Sequence, residues 1–165
     1  LVSASFADHT IAWHENDGSQ RFTKHIITDS ALLTSSVYAI DLDKDGDIDV
    51  LSDAAEIDAI IWYENNGLEN FTSHDITRNA DRAYDVFPID LDRDGDIDVL
   101  SASSYDNKIA WYENDGLQKF VPHLITSRAL KASSVYALDM DNDDDIDVVS
   151  SSMEDNSISW YENHH

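Results

Sequence analysis

Short runs of alternating apolar and polar residues, punctuated by Asn, Asp and Gly, fill the chain from end to end. Alternation of this kind predicts strands, and nothing beside it carries the 3.6-residue period of an amphipathic helix. Within one stretch, Ser134-Val-Tyr-Ala-Leu138 and Ile146-Asp-Val-Val-Ser150 predict two strands. Lys108-Ile-Ala-Trp-Tyr-Glu113 and Phe120 to Thr126 predict two more, with an Asp106-Asn107 turn ahead of the first of them. Between these last two, Asn114-Asp115-Gly116 predicts a tight type I′ hairpin, whose central residues need positive φ.

The pattern repeats every 49 residues. Trp13, Trp62, Trp111 and Trp160 are the only tryptophans, each 49 residues from the next. Gly18, Gly67 and Gly116 keep the same step, as do Phe22, Phe71 and Phe120, and His25, His74 and His123. A fixed period near 50 marks a repeat architecture in which one unit cannot bury its apolar face alone. Four strands per unit is the make-up of a propeller blade. The fold class expected is therefore all-β, a β-propeller built from 49-residue four-stranded blade repeats, about three and a third of them. A parallel β-helix is the competing repeat fold, with shorter rungs and without these hairpins.

Each repeat also carries an acidic loop. Asp41, Asp43, Asp45, Asp47 and Asp49 form the first, and Asp90, Asp92, Asp94, Asp96 and Asp98 the second. Asp139, Asp141, Asp143, Asp145 and Asp147 form the third. Carboxylates at loop positions 1, 3, 5 and 9 predict an oxygen cage for Ca²⁺, which takes six to eight oxygen ligands at about 2.3–2.6 Å. Position 7 (Asp47, Asp96, Asp145) is expected to contribute its backbone carbonyl. Gly46 and Gly95 at position 6 supply a sharp turn with positive φ, and Asp144 stands there in the third loop. Solvated acidic turns are the plain alternative, but so many carboxylates within nine residues repel one another without a cation. Position 12 is Ser52, Ser101 or Ser150 where a helical EF-hand has Glu, so the loop is of another type.

Ser36-Val37-Tyr38-Ala39-Ile40, followed by Asp41 to Asp49 and Val50-Leu51-Ser52, resembles the FG-GAP or VCBS repeat of integrin-α-like β-propellers. The resemblance covers essentially the whole chain. It implies that the acidic loop joins the first and second strands of a blade and binds Ca²⁺. The Phe-Gly and Gly-Ala-Pro marks of the integrin version are absent, so the chain is more similar to bacterial VCBS repeats or fungal propeller lectins. Nothing about integrin ligands carries over.

Composition narrows the partners. The formal net charge is −24, and 16 of the 34 acidic residues lie in the three loops, so three Ca²⁺ would leave about −18. Ten scattered Lys and Arg make no basic stripe, which argues against nucleic acid and against an anionic membrane surface. No apolar run reaches the 18 or more residues of a spanning helix, so membrane insertion is not expected. Without cysteine no disulfide holds the fold. Reliance on millimolar Ca²⁺ points to a secreted or cell-surface setting.

Residues 1–163 are expected to form one propeller segment, with repeats 1–49, 50–98 and 99–147 and a partial repeat 148–163. The chain opens in mid-strand and reads as an excised segment, with His164-His165 as a tag remnant. Strands 2-3-4 of one blade, two full blades and strands 1-2-3 of a last one leave two incomplete blades. Such edges invite pairing, so a homo-oligomer, in the simplest case a dimer of six or eight blades, is expected to complete the ring.

The periodic Trp is read first as inter-blade packing and second as a platform for sugar. His25, His74 and His123 are expected to be neutral and to satisfy neighbouring backbone groups. Near-identical repeats argue against a single catalytic centre, so no enzyme is expected. The function expected is a calcium-stabilised extracellular recognition module, lectin-like toward glycan or directed to a protein partner. A structural self-assembling spacer and an accessory or catalytic propeller of a secreted carbohydrate-active enzyme are the alternatives.

Overall fold

The computed structural model describes residues 1–164; His165, half of the expected tag remnant, lies outside them. Fourteen strands run in order: β1 (Val2–Ser5), β2 (Thr10–Asn16), β3 (Phe22–Thr28), β4 (Val37–Ile40), β5 (Asp49–Ala54), β6 (Ala59–Asn65) and β7 (Phe71–Thr77). There follow β8 (Ala83–Ile89), β9 (Asp98–Ser103), β10 (Lys108–Asn114), β11 (Phe120–Thr126), β12 (Ala132–Leu138), β13 (Asp147–Ser152) and β14 (Ser157–Tyr161). They form four antiparallel meanders of three, four, four and three strands: β1–β3, β4–β7, β8–β11 and β12–β14. This is the division that the strand pattern predicts. Among the described residues the four sheets do not close a ring.

Consecutive sheets stack face on face through the repeated apolar positions. Ile11 of the first sheet packs with Val50, Ile61 and Tyr63 of the second. Leu51 and Ile60 of the second pack with Val86, Val99 and Tyr112 of the third. Leu100 and Ile109 of the third pack with Val135 and Val148 of the fourth. At each of the three junctions the same Ile on one sheet's trailing face thus meets the same Val on the leading face of the next. Fully burying one such side chain contributes about 1.5–3 kcal/mol. One contact, used three times, builds the stack.

Along β4, β8 and β12, the strands that follow one another on one side of the stack, side chains link neighbours at the 49-residue step. Tyr38, Phe87 and Tyr136 form an aromatic row, with ring centroids 5.6 and 4.5 Å apart. Asp85 joins all three strands: it accepts the Ser36 hydroxyl at 2.8 Å, the Ser134 hydroxyl at 2.7 Å and the Val135 N–H at 3.0 Å.

Two details depart from the simple repeat. β4 begins at Val37, while β8 and β12 begin at the equivalents of Thr34. Asp53 is the cause, because its Oδ1 accepts the N–H groups of Ser35 and Ser36, both at 2.8 Å, that a longer strand would give to β5. Its counterparts, Ala102 and Ser151, have no carboxylate to compete. Burial pushes the Asp53 carboxyl above its usual range, against the four groups that donate to it.

The expected type I′ hairpin is not formed. Five residues separate β2 from β3, β6 from β7 and β10 from β11. In the first of these loops Asn16 Oδ1 accepts the Gly18 N–H at 3.0 Å and Asp17 Oδ1 accepts the Ser19 N–H at 2.7 Å. These side chains stand in for backbone partners and stabilise a wider loop, in which Gln20 also takes positive φ (64°).

Candidate metal centre

The three acidic loops connect β4 to β5, β8 to β9 and β12 to β13, the first and second strands of a sheet in each full case. In the first, Asp43 Oδ1 accepts the Asp45 N–H at 3.2 Å and Asp45 Oδ1 the Asp47 N–H at 2.8 Å, while Asp41 Oδ2 reaches across to the Gly46 N–H at 3.2 Å. The second repeats this through Asp92, Asp94 and Asp90. Positive φ at Gly46 and Gly95 (97° each) allows the turn. It is matched by positive φ at position 4 (Lys44, Arg93 and Asn142), which only the Asn of the third loop announced by residue preference.

This coil gathers carboxylates. Oxygens of Asp41, Asp43 and Asp45 lie within 4.8 Å of one another, as do those of Asp90, Asp92 and Asp94. The third loop converges differently, on Asp139, Asp141 and Asp147. There Asp144 replaces the glycine with φ 74°, and Asp139 accepts the N–H of Asn142 at 2.7 Å. Burial, then the neighbouring carboxylates, raises the pKa of Asp43 and of Asp92; Glu64 and Glu113 add to it.

Position 9 has a second task. Asp49 and Asp98 are fully buried, and each clamps two backbone segments. Asp49 accepts the Leu42 N–H at 3.1 Å and the Asn65 N–H at 2.8 Å; Asp98 accepts those of Leu91 and Asn114, and Asp147 those of Met140 and Asn163. Burial raises Asp49 and pushes Asp98 up to about 6 against these donors. Asn65, Asn114 and Asn163 complete the latch by donating Nδ2 to the carbonyls of Ile48, Ile97 and Ile146. The recurring Trp-Tyr-Glu-Asn stretch held the signal for this Asn, but not its role. At position 7 the carboxylates of Asp47 and Asp96 lie outside the converging groups, against Gly67 and Gly116.

The donor set fits a hard cation. Oδ1 of Asp41 and Oδ1 of Asp90 are buried and accept no hydrogen bond. A buried carboxylate oxygen left so is costly, and an ion at the centre of each group would satisfy it. All donors are oxygens and none is a sulfur or imidazole, which favours Ca²⁺ or Mg²⁺ over transition metals.

A second constellation lies alongside. Trp13 and Trp111 stack on His25 and His123, with ring centroids 4.2 and 4.6 Å apart, and Trp62 packs on His74 at 4.7 Å with the rings tilted by 31°. Each His Nε2 meets a carboxylate two residues beyond the Trp: Glu15 at 3.2 Å, Glu64 at 2.7 Å and Glu113 at 2.6 Å. The backbone partners expected for these histidines are replaced by side chains, because Trp and Glu share one strand face opposite the imidazole.

The signature of the FG-GAP-like repeat matches residues 1–52 and 90–150, about two thirds of the chain. The chain belongs to the FG-GAP-like repeat family. Repeats of this family are often found in extracellular proteins and take part in recognition. No curated protein matches the chain. Among the described residues no helix is long and apolar enough to cross a membrane.

The hairpin glycines yield a graded prediction. Gly18 and Gly116 both have positive φ, so Ala at either position costs about 1–2 kcal/mol. A Cβ on Gly18 meets nothing, whereas one on Gly116 collides with the Asp96 carboxylate. Urea denaturation should show Gly116→Ala to be the more damaging, and the Asp96→Ala background should remove the difference.

Proposed function

We propose that the chain is a segment of a Ca²⁺-stabilised β-propeller that serves as an extracellular recognition module for glycans. The observation that carries the calcium part is the pair of buried, unpartnered oxygens on Asp41 and Asp90, each a member of an all-carboxylate group. Asp41, Asp43 and Asp45 would hold the first ion, Asp90, Asp92 and Asp94 the second, and Asp139, Asp141 and Asp147 the third. The carbonyls of Asp47, Asp96 and Asp145 are the further oxygens nearest in sequence. The bound ion supplies charge neutralisation and cross-links the two ends of each loop; no acid–base or redox step is part of this reading.

Recognition is supported by two clefts between successive sheets at equivalent places. One, of about 230 Å³, is lined by Trp13, Ile48, Val50 and Asn65. The other, of about 200 Å³, is lined by Trp111, Ile146, Val148 and Asn163, with Asp92 and Glu162 at its polar side. An aromatic and aliphatic floor beside carboxylate and amide groups suits the C–H face and hydroxyls of a sugar. Trp62, between them in sequence, is buried, so the clefts are repeated without being present at every junction. Linked weak sites multiply avidity. A protein ligand is the second reading, favoured by the same apolar floors.

Assembly with a second copy is supported by two uncovered faces. Ile158 is 81% exposed where its equivalents Ile11, Ile60 and Ile109 are buried, and Leu1 is 80% exposed where Val50, Val99 and Val148 are buried. They are the trailing and leading halves of the contact that stacks the sheets, so two copies closing a ring head to tail would cover both, as would further sheets of a longer parent chain.

Extracellular modules bind Ca²⁺ with Kd of about 10⁻⁴–10⁻³ M, so ~1 mM ion should add about 0.4–1.4 kcal/mol per loop. Excess EDTA should accordingly lower the melting temperature by several degrees, and an unchanged melt counts against the ion. A glycan array probed in calcium should give weak, density-dependent binding that Trp111→Ala reduces. Tight binding of one ligand per chain, indifferent to Trp13 and Trp111, would refute the repeated-cleft reading. Light scattering in calcium buffer should give at least twice 18.5 kDa, and Ile158→Asp should return the monomer; a monomeric parent chain defeats the assembly.

A further inference from the structure

Lys44 stands at position 4 of the first acidic loop, yet its ammonium is engaged by the second. Nζ lies 2.5 Å from Asp96 Oδ1, and a Cβ on Gly95 would lie 3.8 Å from it. Asp94 and Asp90, two of the three carboxylates that converge in the second loop, also act on it. Together with the hydrogen bond to Asp96, which is the largest influence, they raise the pKa of Lys44 and keep it charged.

Neither other loop has this arrangement. Asp47 lies against Gly67 as Asp96 lies against Gly116, but among the described residues no cation pairs with it. Position 4 of the second loop is Arg93, and among the described residues it forms no ion pair with the third. The second loop therefore differs from the first by one tethered positive charge brought from the adjoining sheet.

We propose that Lys44 sets the cation affinity of the second loop, keeping it below that of the first by holding a positive charge beside the carboxylates that would bind the ion. This rests on the calcium reading above. A unit charge near a divalent ion in partly exposed surroundings should weaken binding by about three- to tenfold. Salt should screen the effect, because the Lys44 side chain is half exposed. The consequence is ordered filling, with the first loop occupied before the second.

Two glycine amides report the loops separately, since the Gly46 N–H donates to Asp41 and the Gly95 N–H to Asp90. A Ca²⁺ titration followed by ¹H–¹⁵N correlation spectra at low ionic strength should move Gly46 at lower calcium than Gly95. Lys44→Gln should shift the Gly95 midpoint about three- to tenfold lower, more than it shifts Gly46, and about 0.5 M salt should shrink the gain. Lys44→Arg, which keeps the charge, should stay within about twofold of the parent. The spectra themselves report whether each variant is folded. An unchanged or weakened Gly95 response in Lys44→Gln, or an equal gain at Gly46, overturns the proposal. A parent chain in which neither glycine responds overturns the calcium reading with it.

Discussion

Everything in this fold passes through nine-residue turns that must hold five or six carboxylates within a few ångströms of each other. The turns join the first two strands of a sheet, so strand pairing depends on how their charge is settled. The chain settles part of it alone. Asp49, Asp98 and Asp147 are buried, and each ties the start of a loop to a residue at or just past the end of the third strand through two backbone donors. Loop N–H groups take up other oxygens. What remains is a small set of carboxylates pointing at one another, with Asp41 and Asp90 each keeping an oxygen that nothing in the chain satisfies. A divalent cation is the simplest group that removes both the repulsion and the missing partner.

The stacking of the sheets is separable from that chemistry. It uses Ile, Leu and Val at fixed places in the 49-residue period, and it repeats without reference to which loop lies above. The same economy explains the exposed Ile158 and Leu1, since each is built for a contact that the neighbouring sheets already show. The Trp–His–Glu sets are coupled to the loops, because Glu64 and Glu113 help to raise the pKa of Asp43 and Asp92. A ligand resting on Trp111 would therefore lie near a loop carboxylate, Asp92, that lines the same cleft.

Much of this was legible in the period alone. Fourteen strands, their grouping and the gathering of acidic residues at positions 1, 3 and 5 follow from alternation and spacing. Features unique to one repeat were not legible, because a period shows only what recurs. Asp53 shortens β4 through hydrogen bonds to residues 17 and 18 positions away, and Asp85 joins three strands through partners 49 and 50 away. The Asp-Gly pair suggested a two-residue turn, but its Asp and the Asn before it have side chains able to cap a five-residue loop. Position 9 reads in the sequence as a ligand alone, and its second task as a clamp was not legible. Its burial, and the Asn that latches it, exist only once β6 or β10 has folded back beside the loop.

The central claim is that the first two loops close around a cation held by Asp41, Asp43 and Asp45 and by Asp90, Asp92 and Asp94. Crystals grown with about 1 mM CaCl₂ and measured for anomalous scattering address it directly. The account predicts a peak in each loop at about 2.3–2.6 Å from Asp41 Oδ1 and from Asp90 Oδ1. Loops with no anomalous peak, and with those two oxygens turned to solvent or bonded to water, would contradict it.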